Sequence, residues 1–406
     1  MLSKHVGCTA ILKLVTFSKR TAWEPGSNRW AETAERLRAA GRPPLDLTVS
    51  NPTACGLGPS GPDVLAPLRD PAALRYVPDA LGMRTAREAV AAYYRDHGCE
   101  IPLRRLCLTT STSEAYSFLF RLLCDPGDEV LIARPSYPLF DLLATLDNIV
   151  LREYPLFYEP GLSHGADGGW SIDLGALEAA ITERTRAVIV VNPNNPTGNY
   201  VAAGEREALE EVCLRHDLAL IADEVFLDYP LGSSAAGRSF AAETRCPCFV
   251  LSGLSKICAL PQMKASWIVT CGPEAWTAEA TRRLEIIADT FLSVNAPVQH
   301  ALGSWLRGRH TTQTAIRARM TANLLALERR LEGSLGERLA VQGGWTAVLR
   351  VPRHVDGMEF AFAAMERGVL VQPGAFYGLP EGRCVISLLT EPEVWKEGLK
   401  RLPLDP

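Results

Sequence analysis

The sequence predicts an α/β protein with a doubly wound, mostly parallel sheet in a large domain and a smaller α+β domain after it. In the middle of the chain, short β-rich runs alternate with helical patterns, and several runs are continuously apolar, as in strands covered on both faces. After Asn295-Ala296-Pro297 the alternation stops and a long pattern rich in Arg and Leu follows. A chain of 406 residues is long enough for two domains.

In the large domain, six strands and three helices are predicted. The strands are Leu106–Thr109, Glu129–Ala133, Ala187–Val191, Leu218–Ala222, Phe249–Leu251 and Ser266–Val269. The helices are Glu114–Leu123, Leu174–Ile181 and Glu205–Arg215. In the smaller domain we predict the helix Thr311–Leu335, strand-like runs at Trp345–Val351, Val369–Val371 and Cys384–Leu388, a helix near Met358–Arg367, and a last helix through Leu402.

The predicted domain boundaries fall where the composition changes. Residues 61–297 form the large domain and residues 298–406 the small one, and residues 25–60 are expected to pack against the small domain. Residues 1–24 are basic, with Lys4, Lys13, Lys19 and Arg20 before the first acid. A targeting peptide has this charge, but the apolar run is short, so we favour a flexible N-terminal extension.

The composition excludes several classes of function. The net charge of −4 does not favour binding to nucleic acid or to an anionic membrane. No apolar run reaches the roughly 18 residues that a membrane span requires. The 11 cysteines include no CxxC pair, which indicates reduced thiols in a cytoplasmic protein. The histidines form no HExxH motif, so we expect no metal site.

Lys256 and Asp223 each follow a predicted strand. Lys256 comes shortly after the apolar run Cys248–Leu251, where burial would lower its pKa and leave an amine able to attack a carbonyl. An exposed loop lysine is the alternative. Asp223 ends an apolar run and needs a cationic partner, for which a protonated pyridine nitrogen would serve. A helix cap or a Walker-B-like acid is the alternative, although the chain has no GxxxxGK[ST] motif.

Two more polar segments follow predicted strands. Asn192–Gly198 contains two Asn-Pro steps, and it is either a generic turn or a rigid loop that directs Asn195 at a ligand. Thr110–Ser113 precedes a helix, so its hydroxyls either cap that helix or bind an anion with the free N–H groups. In open α/β sheets, ligands bind beyond the carboxyl ends of strands, so these segments predict one site.

The motifs stand in the order and spacing found in class I/II aminotransferases, and the chain resembles a divergent member of that family over about residues 45–402. The strings that carry the resemblance are Asp46–Pro52, Tyr76–Gly82, Asp125–Val130, Pro135–Pro138, Asn192–Gly198, Asp223–Val225, Ser255–Lys256 and Gly368–Gly374. The resemblance implies the fold type I of pyridoxal 5′-phosphate (PLP) enzymes, with a sheet of the seven-stranded type, and a homodimer.

The resemblance also implies roles for individual residues. Lys256 is expected to hold PLP as a Schiff base and to carry the proton, and Asp223 to pair with the pyridine nitrogen. Asn195 would contact the ring 3′-oxygen and the substrate carboxylate. Tyr137 would stack on the ring, although by itself it would be interpreted as a core residue. The phosphate would be held by the polar groups of Ser111, Thr112, Ser113, Ser255 and Lys264, with Tyr76 from the neighbouring subunit.

The sequence departs from the family pattern in four respects: near the ring 3′-oxygen, at the phosphate, and at two places near the substrate carboxylate. Phe226 stands in place of a tyrosine near the 3′-oxygen, so we expect the Schiff base to titrate at a higher pH than in typical relatives. Lys264 replaces an arginine at the phosphate and keeps its charge without the bidentate fork. Gly253 stands where the family often has a hydroxyl residue, and Ser50 replaces a glycine near the substrate carboxylate.

The fourth departure concerns the arginine that binds the substrate carboxylate in the family. The aligned strand reads Val385-Ile386-Ser387 and has no arginine in place. Arg383 lies two residues earlier, and two residues along a strand restore the same face, roughly 7 Å away. Arg383 is therefore a candidate substrate ligand, with a solvent-facing turn arginine as the alternative.

The resemblance implies an aminotransferase that acts on an amino acid or a related small-molecule amine. The changed residues leave open a second interpretation, a PLP-dependent lyase or an elimination or replacement enzyme of specialised metabolism, because one scaffold hosts many chemistries. A third interpretation is a non-enzymatic ligand-binding or regulatory domain. The presence of Lys256, Asp223 and Asn195 argues against the third.

Overall fold

A computed structural model describes residues 17–23, 28–160, 168–232, 237–242 and 244–405 of the chain. Most of the predicted N-terminal extension, residues 1–16 and 24, lies outside the described residues. Within them the chain forms fourteen strands and eleven α-helices, joined by short 3₁₀ turns. Those turns are Lys19–Thr21, Pro62–Val64, Ala66–Arg69, Pro71–Leu74, Leu103–Arg105, Pro261–Met263 and Gly374–Tyr377.

The central sheet is built from eight strands in the spatial order β2-β9-β8-β7-β6-β3-β4-β5. Five neighbours, from β8 to β4, run parallel, whereas β9 is antiparallel to both β8 and β2. The strands are β2 (Leu106–Thr109), β3 (Glu129–Arg134), β4 (Val150–Glu159), β5 (Gly169–Ile172), β6 (Thr185–Val191), β7 (Ala219–Asp223), β8 (Cys248–Gly253) and β9 (Ser266–Cys271).

The prediction of a mostly parallel sheet is confirmed, and each of the six predicted strands is present within two residues of its expected ends. The sheet has eight strands rather than seven because β5 pairs antiparallel with the end of β4. The sequence analysis missed both of these strands. β4 is largely solvent-exposed and is interrupted by Arg152, Glu153 and Pro155, so it lacks the continuous apolar signal of the buried strands.

Both faces of the sheet are covered by helices, which explains the apolar strands. In β6, Val188 and Val190 belong to one core cluster, while Ala187, Ile189 and Val191 belong to the cluster on the opposite face. Successive side chains of a strand point to opposite faces, so a strand buried on both sides needs apolar residues throughout. The helices of this part are α2 (Arg84–Asp96), α3 (Thr112–Leu123), α4 (Leu139–Leu146), α5 (Leu174–Ala179), α6 (Ala203–Arg215), α7 (Leu254–Ile257) and α8 (Glu274–Phe291).

The C-terminal part is α+β, as predicted. Its antiparallel sheet has the order β10-β11-β14-β13, and a separate two-stranded parallel pair joins β1 to β12. The strands are β1 (Leu45–Asp46), β10 (Glu337–Arg338), β11 (Thr346–Arg350), β12 (Val369–Leu370), β13 (Gln372–Pro373) and β14 (Arg383–Ser387). The helices are α1 (Arg29–Ala39), α9 (Ala296–Leu331), α10 (Gly357–Glu366) and α11 (Pro392–Arg401).

Helix α9 begins earlier than predicted, at Ala296 rather than at Thr311. Its N-cap is Asn295, whose side chain accepts a hydrogen bond from the Val298 N–H at 3.0 Å, and Pro297 stands in the first turn. The sequence analysis took Asn295–Pro297 for a boundary, although the same residues are a helix start signal. α9 contacts both α2 and α11, so it links the two parts of the chain.

The topology brings several strand ends to one edge. β2 is parallel to β8, because each is antiparallel to β9, so the carboxyl ends of β2, β8, β7 and β6 lie on the same side. The start of β9 lies at this edge too. In the described part of the chain, no helix is both long and apolar enough to cross a membrane, and no cluster of His, Cys, Asp and Glu is suited to hold a metal ion.

Candidate active site

A cavity of about 560 Å³ opens at this edge of the sheet, between the large sheet and the C-terminal part. Most of the site residues predicted from sequence line it, although they are spread over more than two hundred positions of the chain. They are Ser50, Ser111, Thr112, Ser113, Tyr137, Asn195, Asp223, Phe226, Ser255, Lys256 and Lys264. Two predicted residues, Tyr76 and Arg383, do not line it.

Lys256 lies on α7, in the first turn after β8. Its Nζ atom is 4.8 Å from the centre of the Trp345 ring and 5.4 Å from that of Phe226. Burial lowers the pKa of Lys256 to about 8, and the charge of Asp223 opposes this shift. Near neutral pH a substantial fraction of the lysine is therefore the uncharged amine, which is the form that attacks a carbonyl.

Asp223 is the last residue of β7 and is only 6% exposed. Its carboxylate accepts hydrogen bonds from the Tyr116 hydroxyl and from the Val225 N–H, both at 3.1 Å. Burial raises the pKa of Asp223 to about 6 in spite of these bonds and of the nearby Lys256 charge. A cationic ring nitrogen against this carboxylate would supply the counter-charge that a buried anion requires.

The Asn192–Gly198 loop is held from several sides. Asn194 donates from Nδ2 to the Pro135 carbonyl at 3.1 Å, and Thr346 donates from its hydroxyl to the Pro196 carbonyl at 2.9 Å. Gly198 has a φ of +71°, and a Cβ there would overlap the Gly343 carbonyl. Asn195 Oδ1, by contrast, is buried without a hydrogen-bond partner among the described residues. A ligand in the cavity would satisfy it.

The N-terminus of α3 forms another part of the cavity wall. Ser111 caps the helix, since its hydroxyl oxygen accepts from the Glu114 N–H at 3.1 Å. The capping alternative is therefore correct for Ser111, but Thr112 and Ser113 also line the cavity with the free N–H groups of the first turn. Together with the Lys264 ammonium group, which also lines the cavity just before β9, the neighbour of β2, this wall favours an anion.

Aromatic side chains form a third wall, next to Asp223. Tyr137 is 43% exposed, so it is a cavity residue rather than the core residue that its sequence context indicated. Its ring stands perpendicular to that of Phe140, with 6.3 Å between the ring centres. Phe140 in turn packs edge-on against Tyr116 at 5.0 Å. A flat, partly apolar ligand fits such a wall.

Comparison with known proteins decides the family. Residues 66–402 match the family model described as "Aminotransferase class I and II". The chain belongs to this family. Among curated proteins it is similar to an alanine aminotransferase of Mycobacterium tuberculosis, with 31% identity over 291 residues, 70% of this chain and 65% of that protein. It is also similar to a glutamate-pyruvate aminotransferase of Escherichia coli, with 28% identity over 278 residues, 68% and 66% of the two chains. The match therefore spans just under two thirds of these relatives.

Solved structures of aminotransferases share the fold over nearly the full chain. An alanine aminotransferase from Pyrococcus furiosus superposes with a TM-score of 0.84 at 23% identity, covering 95% of this chain and 98% of that one. A tyrosine aminotransferase from Leishmania infantum gives 0.78 at 22% identity, covering 93% and 97%. At such identities the likeness concerns the fold, and it confirms fold type I.

Class I and II aminotransferases use PLP, and the cavity of this member fits that cofactor on three structural observations. A buried amine, Lys256, stands next to a buried carboxylate, Asp223, that lacks a cation of its own. The Asn195 carbonamide oxygen is without a partner in the described structure. The helix N-terminus and Lys264 offer positive charge to a phosphate. Lys256 would bind the aldehyde of the cofactor and Asp223 its pyridine nitrogen. Asn195 would contact the polar ring substituent, and the helix N-terminus with Lys264 would hold the phosphate.

The structure does not bring Arg383 into the cavity of this aminotransferase family member. Its guanidinium donates to the backbone carbonyls of Glu381 and Gly382, at 2.9 and 3.3 Å. Burial lowers the pKa of Arg383, and the like charge of Arg350 acts in the same direction. Arg383 is thus held at the turn before β14, as in the alternative considered from sequence. Arg383 does not line the cavity in this structure, and its assignment as a substrate ligand stays a prediction.

Sequence reasoning missed several lining residues. Tyr116 donates to Asp223, and its position four residues after Thr112 on α3 could have indicated it, because i and i+4 share a helix face. Trp345 had no such signal, since it approaches Lys256 only through the packing of the C-terminal sheet. The pair Gln372 and Tyr377, joined by a 2.6 Å hydrogen bond, is likewise brought in by tertiary structure.

Proposed function

We propose that the chain binds PLP at Lys256 and transfers an amino group between small molecules, an amino acid or related amine and a keto acceptor. The observation that carries this proposal is the pairing in one cavity of a lysine whose pKa is lowered to about 8 with a buried aspartate whose pKa is raised to about 6. Perturbed titrating groups that face each other in a cleft are typical of functional sites. The family membership supports the same activity.

The residues would divide the work as follows. PLP, when bound, supplies an electron sink for the carbon that loses its proton. Asp223 would keep the pyridine nitrogen protonated, and Tyr116 and the Val225 N–H orient its carboxylate. Lys256 would accept the proton from the substrate Cα and return it, since burial brings its pKa down to about 8, close to the working pH that favours a general base. Asn195 and Tyr137 would fix the ring.

A half-reaction tests the proposal. Purified protein loaded with PLP is mixed with candidate amino acids and amines, and the cofactor absorbance and the products are measured. We expect conversion of the cofactor to pyridoxamine phosphate with release of the matching keto compound. Release of keto acid and ammonia without pyridoxamine phosphate would favour the lyase or elimination alternative instead. Absence of covalent PLP from Lys256 would contradict both.

We further propose a homodimer in the cytoplasm. Tyr76 is 82% exposed and Leu74 is 90% exposed, which is unusual for neighbouring apolar residues unless a second copy covers them. In such a dimer Tyr76 would reach the neighbouring site. The ten cysteines of the described structure are free thiols, nine of them buried, which supports a reducing compartment. Sedimentation analysis of the native chain and of Leu74→Arg tests the dimer, and a monomeric native chain would refute it.

A further inference from the structure

The start of β9 places a hydroxyl group in the cavity that the sequence analysis did not single out. Ser266 is the first residue of β9, is 2% exposed, and lines the cavity together with Lys264 and Gly253. Its hydroxyl has no hydrogen-bond partner among the described residues. Because it borders the cavity, the hydroxyl can donate to a group that binds there. The arrangement therefore points to a ligand that accepts its hydrogen bond.

Gly253 explains why the hydroxyl fits there. Gly253 and Ser266 are directly opposite each other in the antiparallel pair of β8 and β9. A Cβ at residue 253 would overlap Ser266 Oγ and lie 2.8 Å from Ser266 Cβ and 2.9 Å from the Ala265 carbonyl oxygen. The φ of Gly253 is 178°, which any residue adopts, so the glycine is needed for space rather than for conformation. The side chain of Ser266 fills the position that a side chain at 253 would take.

The groups around Ser266 indicate an anion as the ligand. The cavity wall near the end of β8 and the start of β9 contains the Lys264 ammonium and the Ser255 hydroxyl, and the N-terminal residues Thr112 and Ser113 of α3 complete the lining. The first turn of a helix offers N–H groups and positive potential to a phosphate. A hydroxyl that has no other acceptor adds a donor to such a site.

We propose that Ser266 donates a hydrogen bond to the phosphate of PLP and supplies the hydroxyl that residue 253 cannot. The proposal rests on the proposed cofactor, and it assigns a phosphate contact to β9 rather than to β8, the strand that leads to Lys256. It also gives a reason for the glycine at 253. A lysine at 264 makes one charged contact where an arginine fork would make two, so an additional donor on the same hairpin offsets part of the loss.

The test compares the affinity of the apoprotein for PLP and for pyridoxal, which lacks the phosphate. For Ser266→Ala we expect the Kd for PLP to rise about tenfold, equivalent to about 1.4 kcal/mol and typical of a hydrogen bond to a charged group. The Kd for pyridoxal should stay within about twofold. The ³¹P resonance of bound PLP should shift as well, because the phosphate loses a donor.

Ser252→Ala is the matched control. Ser252 is as deeply buried and lies next to Gly253, but it contacts the Glu224 carbonyl and does not line the cavity. Its PLP affinity and ³¹P resonance should match those of the native chain, and thermal melts of each apoprotein should be alike. An unchanged PLP affinity in Ser266→Ala, or an equal loss for PLP and pyridoxal, overturns the proposal. A native chain that binds no PLP contradicts the proposed function itself.

Discussion

Replacing Asp223 with asparagine should make the apoprotein more stable while weakening its hold on the cofactor. The pKa of Asp223 is raised from 3.8 to about 6 in the fold, so the folded state binds the proton more tightly than the unfolded state. Stability is therefore lost as the pH rises from about 4 to 6, and the loss is complete above pH 6. At about 1.4 kcal/mol for each pH unit, the ionised carboxylate costs the fold about 3 kcal/mol at pH 8.

Asp223→Asn removes this cost. Its single amide oxygen can keep the bond from the Val225 N–H, and its Nδ2 can donate to the Tyr116 hydroxyl oxygen, which donates to the carboxylate in the native chain. For 406 residues, an entropy of unfolding of about 2.1 cal/mol/K per residue converts about 3 kcal/mol into a rise in Tm of about 3–4 °C. At pH 5 the wild-type residue is mostly protonated when folded, so the gain should be about half as large. Thermal melts of the two apoproteins at pH 5 and pH 8 measure the difference.

The Asp223→Asn variant should also bind PLP more weakly, because it loses the charged contact to the pyridine nitrogen. The neutral amide cannot balance a pyridinium charge, so the Kd for PLP should rise by about two orders of magnitude, as for a broken charged contact of about 3 kcal/mol. Glu224→Gln is the control, because Glu224 is equally buried, its pKa is raised to about 7, and it lies outside the cavity. It should gain apoprotein stability at pH 8 without losing PLP affinity. An apoprotein of Asp223→Asn that is no more stable than wild type at pH 8 would refute the reasoning.

Three further outcomes are expected. The rate of PLP incorporation into the apoprotein should rise about tenfold per pH unit below pH 8 and level off above it, because the neutral amine of Lys256 is the nucleophile. A stopped-flow absorbance assay measures this rate, and a rate that does not change with pH would contradict the prediction. Phe226→Tyr should lower, by about one unit, the pH at which the absorbance of Lys256-bound PLP titrates, since a phenol near the ring 3′-oxygen stabilises the deprotonated Schiff base. An unchanged or higher midpoint would count against a position of Phe226 next to that oxygen. Asn195→Ala should raise the Kd for PLP roughly tenfold, as measured by fluorescence titration, because the cofactor loses its hydrogen bond to the Asn195 side chain, whose Oδ1 has no other partner among the described residues. Full affinity in this variant would show that Asn195 faces no part of the cofactor.

The sequence predicted the sheet well where burial dictates composition. β6, β7 and β8 are covered on both faces, so their central positions are apolar and the runs stand out from the polar loops. β4 could not be found in this way, because much of it is exposed to water and charged residues and a proline interrupt its apolar run. The start of α9 was missed for a different reason, since Asn295 and Pro297 are both turn formers and helix starters.

The residues of the candidate site that lie at the ends of strands could be predicted from the sequence. Lys256, Asp223 and Asn195 each follow a strand of the sheet, and parallel strands bring such positions together whatever the rest of the chain does. Trp345 and Gln372 reach the cavity from the C-terminal sheet, whose placement depends on packing across the whole molecule. Arg383 shows the limit of such reasoning, because strand parity does not determine where a long side chain finds its partners, and its guanidinium bonds to its own turn.

The two kinds of position also differ in how freely they can change. In the proposed function, Lys256 and Asp223 act through a covalent bond and a buried charge, and no neighbour can supply either, so both would be retained in spite of the cost of burying them. A phosphate contact, by contrast, is one of several donors around a diffuse charge, and a hydroxyl from β9 can replace one from β8 because the two strands are hydrogen-bonded partners at that point. Divergence of this chain at Gly253 and Lys264 is therefore compatible with an intact cofactor site. It falls where the chemistry tolerates exchange of one donor for another.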